Sequence, residues 1–205
     1  TAPEQTDGTY ALTVTATDAA GNISSASSAL DITIDTAAPD APLITTSNTT
    51  TNDSTPEIVG EAEAGSTVTL FVNGSNTGVT TTADGSSGVF SITAPEQTDG
   101  TYALTVTATD EAGNISAASS ALNLTVDTIA PAQPSITTTT PLTNDSTPAI
   151  EGIAEAGSTV TLFVDGTSTG VTTTADATTG AYTIAPTTAL DDGAYALTVT
   201  ATDEA

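Results

Sequence analysis

The chain contains no lysine, no arginine, no histidine and no cysteine. Its 205 residues include 25 Asp and Glu, so the formal charge is −25 with no internal cation to offset it. Salt bridges, general-base histidines, Schiff-base lysines and phosphate-clamping arginines are excluded together. Nucleic acid and anionic membrane surfaces repel such a chain and are not expected partners. Without cysteine there are no disulfides, thiolate metal sites or cysteine nucleophiles, so rigidity has to come from elsewhere. Aromatics are scarce, with three Phe and four Tyr. That leaves no evident aromatic-lined cleft in which paired carboxylates could work, and an enzyme is not expected. No run of about 18 apolar residues occurs, so neither a transmembrane helix nor membrane insertion is expected. No signal peptide is visible, which carries no information for an internal fragment.

What the chain does have is repetition. TYALTVTATDEAGN, from Thr101 to Asn114, occurs near the start as TYALTVTATDAAGN (Thr9 to Asn22), and AYALTVTATDEA closes the sequence from Ala194. Thr1 to Thr36 aligns with Thr93 to Thr128 at an offset of 92 and differs at five positions. The same offset carries PEIVGEAEAGSTVTLFVNG, from Pro56, onto PAIEGIAEAGSTVTLFVDG, from Pro148. One extra residue enters between Ile184 and Asp192, and the offset becomes 93. This period divides the chain into the end of one repeat (1–36, strands F and G), one whole repeat (37–128) and a third lacking its last strand (129–205). A window on a longer tandem array is expected.

Each copy of the motif is a strand followed by an acidic loop. Tyr102, Leu104, Val106 and Ala108 fall on one face while Ala103, Thr105, Thr107 and Thr109 fall on the other, the alternation of a half-buried strand. Seven strands are predicted in the whole repeat: A near Pro42–Thr46, B near Glu57–Glu63, C near Thr67–Asn73, D near Thr77–Ala83, E at Val89–Thr93, F at Tyr102–Thr109 and G at Ala121–Asp127. The inward set is Ile44, Ile58, Val68, Leu70, Val72, Val79, Phe90, Ile92, Leu104, Val106, Leu122, Leu124 and Val126. Asn73-Gly74 and ADGSSG are tight-turn chemistry for the C–D and D–E connections. Phe71 lies on the nominally outer face of strand C and is expected under a neighbouring loop. The outward Thr-x-Thr strings are ordinary solvated strand faces rather than an ice-binding surface.

Asp99-Gly-Thr-Tyr102 looks like the tyrosine corner at the start of strand F of an Ig-like sandwich. D-T-x-A-P, N-D-S-T-P, G-S-T-V-T-L-F-V-x-G, D-G-x-Y and T-D-x-A-G-N together are similar to the bacterial Ig-like repeats of giant surface adhesins. The resemblance covers essentially the whole chain. It implies an all-β fold, tandem seven-stranded Ig-like β-sandwiches in an extended array, on an extracellular protein exported by type I secretion, often carrying RTX repeats, that serves attachment and biofilm formation. The antibody Cys pair and core Trp are absent, as in those repeats, and without lysine no Lys–Asn isopeptide bond can form.

The topology assigns the acids to repeat junctions. With strands alternating up and down, the B–C and F–G loops share the end at which the chain enters a repeat. Asp35 with Glu63, Asp110, Glu111 and Asn114 should then meet at the first junction, and Asp127 with Glu155, Asp203 and Glu204 at the second. Two like charges about 4 Å apart repel by roughly 1 kcal/mol in bulk water and more near a protein surface, so such clusters should splay unless a cation joins them. Oxygen-only donors favour calcium over zinc or copper, and over magnesium, which dehydrates reluctantly. In the family resembled, calcium rigidifies such junctions. Asn52, Asp53 and Asp99 could complete the following junction but read first as turn caps.

Three roles follow: a calcium-stiffened stalk in an adhesin, the main repeats of an extracellular filament or sheath joined by strand addition, and a ligand-binding module, for example for carbohydrate. Partners are neighbouring repeats and, in a fibre, other copies. The adhesion target is not readable from the repeats. Strand F of the third repeat should expose an edge that the continuing chain fills, or that Ala29–Asp35 of another copy fills instead.

Overall fold

The computed structural model describes residues 4–47, 49–139 and 142–205. It is built of strands throughout: β1 (Gly8–Leu12), β2 (Leu30–Ile34), β3 (Leu43–Ile44), β4 (Thr50–Thr51), β5 (Glu57–Glu61), β6 (Thr67–Val72), β7 (Ser75–Thr82), β8 (Val89–Thr93), β9 (Gly100–Thr109) and β10 (Leu122–Val126). They are followed by β11 (Ser135–Ile136), β12 (Ile150–Ile153), β13 (Thr159–Val164), β14 (Thr167–Thr174), β15 (Ala181–Ile184) and β16 (Leu197–Thr202). Among the described residues no helix is long and apolar enough to cross a membrane. Two compact units emerge, one of residues up to Thr49 with Ser54–Thr125, the other of Thr50–Asp53 with Val126–Ala205.

In the first unit, one sheet runs β3–β5–β8 and a second runs β10–β9–β6–β7. Registers are set by the apolar alternation: Ile58 stands opposite Ile92 across β5 and β8, and Leu70 opposite Val106 across β6 and β9. Ile58, Phe90 and Ile92 from one sheet meet Val68, Leu70, Leu104, Val106 and Leu124 from the other in a closed core. Every residue of the predicted inward set is buried or half-buried. This is the all-β sandwich that the alternation implied, and its Ig-like form is the one the resemblance implied. The seven expected strands are present; the two-residue β4, which the TTSNTTTNDST stretch had concealed as turn chemistry, is grouped with the second unit. Strand F begins at Gly100, two residues earlier than expected, and Phe71 is half-buried.

Turn chemistry fixes the register of β6 and β7. Asn73 and Gly74 both have positive φ, 50° and 76°, which is the backbone of a tight hairpin turn. The Asn73 side chain then accepts the Ala103 N–H at 2.9 Å, tying the hairpin to β9. Tyr102 donates its hydroxyl to the Thr98 carbonyl at 2.8 Å, the tyrosine corner read from the sequence. Ahead of this sandwich, β1 and β2 form a two-stranded antiparallel hairpin, Gly8 opposite Ile34 and Leu12 opposite Leu30.

The second unit repeats the plan with sheets β11–β12–β15 and β14–β13–β16. Val160, Leu162, Tyr182 and Ile184 form its buried centre. Here strand F is shorter: β16 starts at Leu197, whereas its counterpart β9 begins four residues earlier in the motif.

Candidate junction site

The TDxAGN loop is built around a single carboxylate. Asp110 accepts the Asn114 N–H on Oδ1 at 2.8 Å and the Asn114 side-chain amide on Oδ2 at 2.9 Å. The Gly113 N–H closes on the Asp110 carbonyl at 3.3 Å. These donors, Asn114 first, hold the Asp110 carboxyl below its ordinary range. The first copy repeats the arrangement, with Asp18 accepting from Ala20 and from both nitrogens of Asn22 at 2.8–2.9 Å. The acid of this loop is thus a turn cap in both copies. Asn114 does one thing more: the same amide nitrogen donates to the Asp35 carbonyl at 3.1 Å, 79 residues away in sequence. Asp35 itself accepts the Ala37 N–H at 3.1 Å, and Asp7 receives both the N–H and the hydroxyl of Thr36. The linker between the first two repeats is therefore strapped at successive residues.

Two serines hold this loop against the core. Ser116 and Ser119 accept the N–H groups of Ala108 and Val106 at 2.9 and 3.0 Å, and their own N–H groups donate back to the same residues' carbonyls. Loop residues here stand in for a neighbouring strand. The periodicity of β9 gives no hint of it. The visible signal is Ser-x-x-Ser at positions 116 and 119, repeated at 24 and 27.

In the second unit Asp127 and Asp203 line one cleft of about 260 Å³ together with Asn52, Ile129 and Pro131. Asp127 and Asp203 are both half-buried, and each caps the N–H two residues on, at Ile129 and Ala205. Glu63, Glu111, Glu155 and Glu204 are exposed. Among the described residues no set of three or more acidic side chains comes together closely enough to hold a metal ion. The structure thus brings Asp127 to Asp203, and the Asp35 backbone to Asp110 and Asn114. Asn52, read first as a turn cap, joins the acids of the second group.

A family model described as bacterial Ig-like domain matches residues 1–36, 43–128 and 132–205. The chain belongs to that family. Exoglucanase B of Cellulomonas fimi is 38% identical over 143 residues, covering 61% of this chain and 12% of that protein. Chitinase A1 of Niallia circulans is 38% identical over 123 residues, 56% of this chain and 17% of that protein. The chain thus spans less than a fifth of either relative. Among solved structures, fibronectin(III)-like modules of Clostridium thermocellum CbhA align with a TM-score of 0.49 and 16% identity, over 78% of this chain and 85% of theirs.

Proposed function

We propose that this chain is a run of structural extender repeats from a large extracellular bacterial adhesin of the RTX type, holding a distant binding domain off the cell during attachment and biofilm formation. The observation that carries this reading is the near-identity of successive Ig-like repeats. Thirty-six residues recur with five changes, as suits a spacer whose units are interchangeable. The complete sandwich is closed on itself, and its turn carboxylates cap their own loops rather than line a reaction site.

Calcium at the junctions belongs to the same proposal. The donor set is all oxygen, and two acceptors, an Asp110 carboxylate oxygen and the Asp35 carbonyl, already converge within 3.1 Å of one atom, the Asn114 amide nitrogen. Asn114 has a carbonyl oxygen to offer as well. Asp35, Asp110 and Asn114 would hold the ion at the first junction, and Asp127, Asp203 and Asn52 at the second. Glu63, Glu111, Glu155 and Glu204 would add negative potential from the rim. A bound divalent cation supplies the positive charge that the chain lacks and ties a loop to a linker. Extracellular modules of this kind bind in the range of about 0.1–1 mM, filled outside a cell and empty within.

The identity shared with an exoglucanase and a chitinase favours a second reading, spacer modules inside a secreted polysaccharide-degrading enzyme. One exchange separates the two. In the parent protein on its own cells, these repeats are replaced by unrelated Ig-like repeats of equal number. Retained attachment with retained reach supports the stalk. Lost attachment would mean that the repeats themselves bind, and attachment unaffected by complete deletion would mean that the protein is not an adhesin.

A further inference from the structure

The tip of the β6–β7 hairpin carries a chemistry beyond its turn. Asn73-Gly74 is the chain's single Asn-Gly pair. A glycine after asparagine leaves the next backbone nitrogen unshielded by any side chain, so that nitrogen can attack the asparagine Cγ. In the closed hairpin the attack is blocked. Asn73 and Gly74 have φ of 50° and 76°, and in a turn of that type the first residue's ψ is about +30°. Ring closure needs the Gly74 nitrogen on the Cβ side of the Cα–C bond, a rotation of roughly 150° away from that value. The side chain is held as well: Asn73 Oδ1 accepts the Ala103 N–H at 2.9 Å while the Asn73 N–H donates to the Ala103 carbonyl at 2.8 Å. Both bonds must break before the nitrogen and Cγ can meet. The second unit holds an aspartate in the same place. Asp165 and Gly166 have φ of 49° and 77°, Asp165 Oδ1 accepts the Ala196 N–H at 2.8 Å, and the Asp165 N–H donates to the Ala196 carbonyl at 2.8 Å.

We propose that Asn73 is a deamidation site gated by the fold: closed in the hairpin, reactive when the tip opens, and yielding an aspartate that the hairpin takes back and an isoaspartate that it does not. The Gly74 nitrogen gives up its proton and bonds to Asn73 Cγ, the Cγ–Nδ2 bond breaks, and the side-chain nitrogen leaves as ammonia. Water then opens the resulting succinimide. Cleavage at Cγ gives aspartate, and cleavage at the main-chain carbonyl gives isoaspartate, in which the chain runs through Cβ and Cγ. Water is the only co-reactant. Aspartate keeps the oxygen that accepts the Ala103 N–H, as Asp165 does for Ala196. Isoaspartate lengthens the two-residue turn by one methylene, so Val72 can no longer stand opposite Ser75 without shifting the β6–β7 register. Either product adds one negative charge to the −25 of the chain. Asn76 and Asn123 precede Thr77 and Leu124, whose side chains crowd the same attack. A hairpin that has opened is thus marked permanently, and the site stands whether or not the repeats form a stalk.

The test is peptide mapping by mass spectrometry of the full 205-residue chain after incubation at mildly alkaline pH, native and in urea. The chain is cut at glutamates, since it has no lysine or arginine, and isoaspartate is read by methyltransferase labelling. In urea Asn73 should deamidate faster than Asn123. In the native chain it should be at least about tenfold slower than in urea, because opening must break both bonds to Ala103. Asn73→Asp should leave the melting transition of the 37–128 repeat in place, while chains carrying isoaspartate should melt below the parent. Equal rates at Asn73 in the native chain and in urea overturn the gate. Asn73 reacting no faster than Asn123 in urea overturns the site, and an Asn73→Asp chain that melts as low as the isoaspartyl chains overturns the fit of the product.

Discussion

Replacing Ser119 with alanine removes the oxygen that accepts the Val106 N–H at 3.0 Å. Val106 is fully buried and Ser119 is 8% exposed, so water cannot take over the bond. An unsatisfied buried donor of this kind costs about 1–3 kcal/mol. In a sandwich of this size each kcal/mol moves the melting temperature by roughly 4–8 °C, so Ser119→Ala should lower the transition of the 37–128 repeat by about 4–24 °C. Ser116→Ala, which strips the Ala108 N–H of its partner, should act similarly. The chain contains its own control. Ser27 makes the same bond to the Val14 N–H at 3.1 Å, but Val14 is 72% exposed, and water replaces the hydroxyl. Ser27→Ala should therefore stay within about 0.5 kcal/mol of the parent. Calorimetric melting of the full chain and its variants measures both. Equal shifts for Ser119→Ala and Ser27→Ala would refute the view that burial of the acceptor, rather than the loop motif itself, sets the effect.

Other perturbations follow from named contacts. A Cβ on Gly60 would lie 2.3 Å from the Leu43 carbonyl and 2.5 Å from the Phe90 ring, so Gly60→Ala should destabilise by about 1–3 kcal/mol. Gly85, with nothing within 4 Å, should tolerate alanine within about 0.5 kcal/mol; urea unfolding separates the two. Tyr102→Phe removes the hydroxyl bonded to Thr98 and should lower stability by about 0.5–1.5 kcal/mol in the same assay. For Asp110 the folded-state pKa lies below its ordinary 3.8, mainly through Asn114. A depressed carboxyl contributes stability that is complete above the unfolded value and lost as pH falls through the folded one. The melting-temperature gap between the parent and Asn114→Ala should hold constant above about pH 5 and narrow below 3.8; a gap that widens in acid would contradict this assignment.

The sandwich was legible because Thr alternates with Val, Leu and Ala along β6 and β9, and that period fixes which face of each is inward. Asn73-Gly74 and Tyr102 were legible because their chemistry is local. β4 was not, since a two-residue strand of threonines has no period and its bonding is through the backbone, the Thr51 carbonyl accepting the Asp127 N–H at 3.0 Å. The role of the acids was harder still. A carboxylate that caps a turn and one that binds an ion have the same sequence, and the Asn114 contact to Asp35 depends on the path of the linker, which no local pattern encodes. Ser116 and Ser119 read as loop polarity because a side chain substituting for a strand leaves no hydrophobic signature.

The central claim, a spacer stiffened by cations at its junctions, is tested most directly by small-angle scattering of a chain with complete repeats in calcium and in chelator, with melting followed in parallel. With calcium at about 1 mM, the maximum dimension should increase and the melting temperature rise, magnesium should do less, and Asp127→Ala together with Asn114→Ala should abolish the response. An unchanged maximum dimension and an unchanged melting curve would contradict the claim and leave the proline-containing linkers and the Asn114 bridge as the only sources of stiffness.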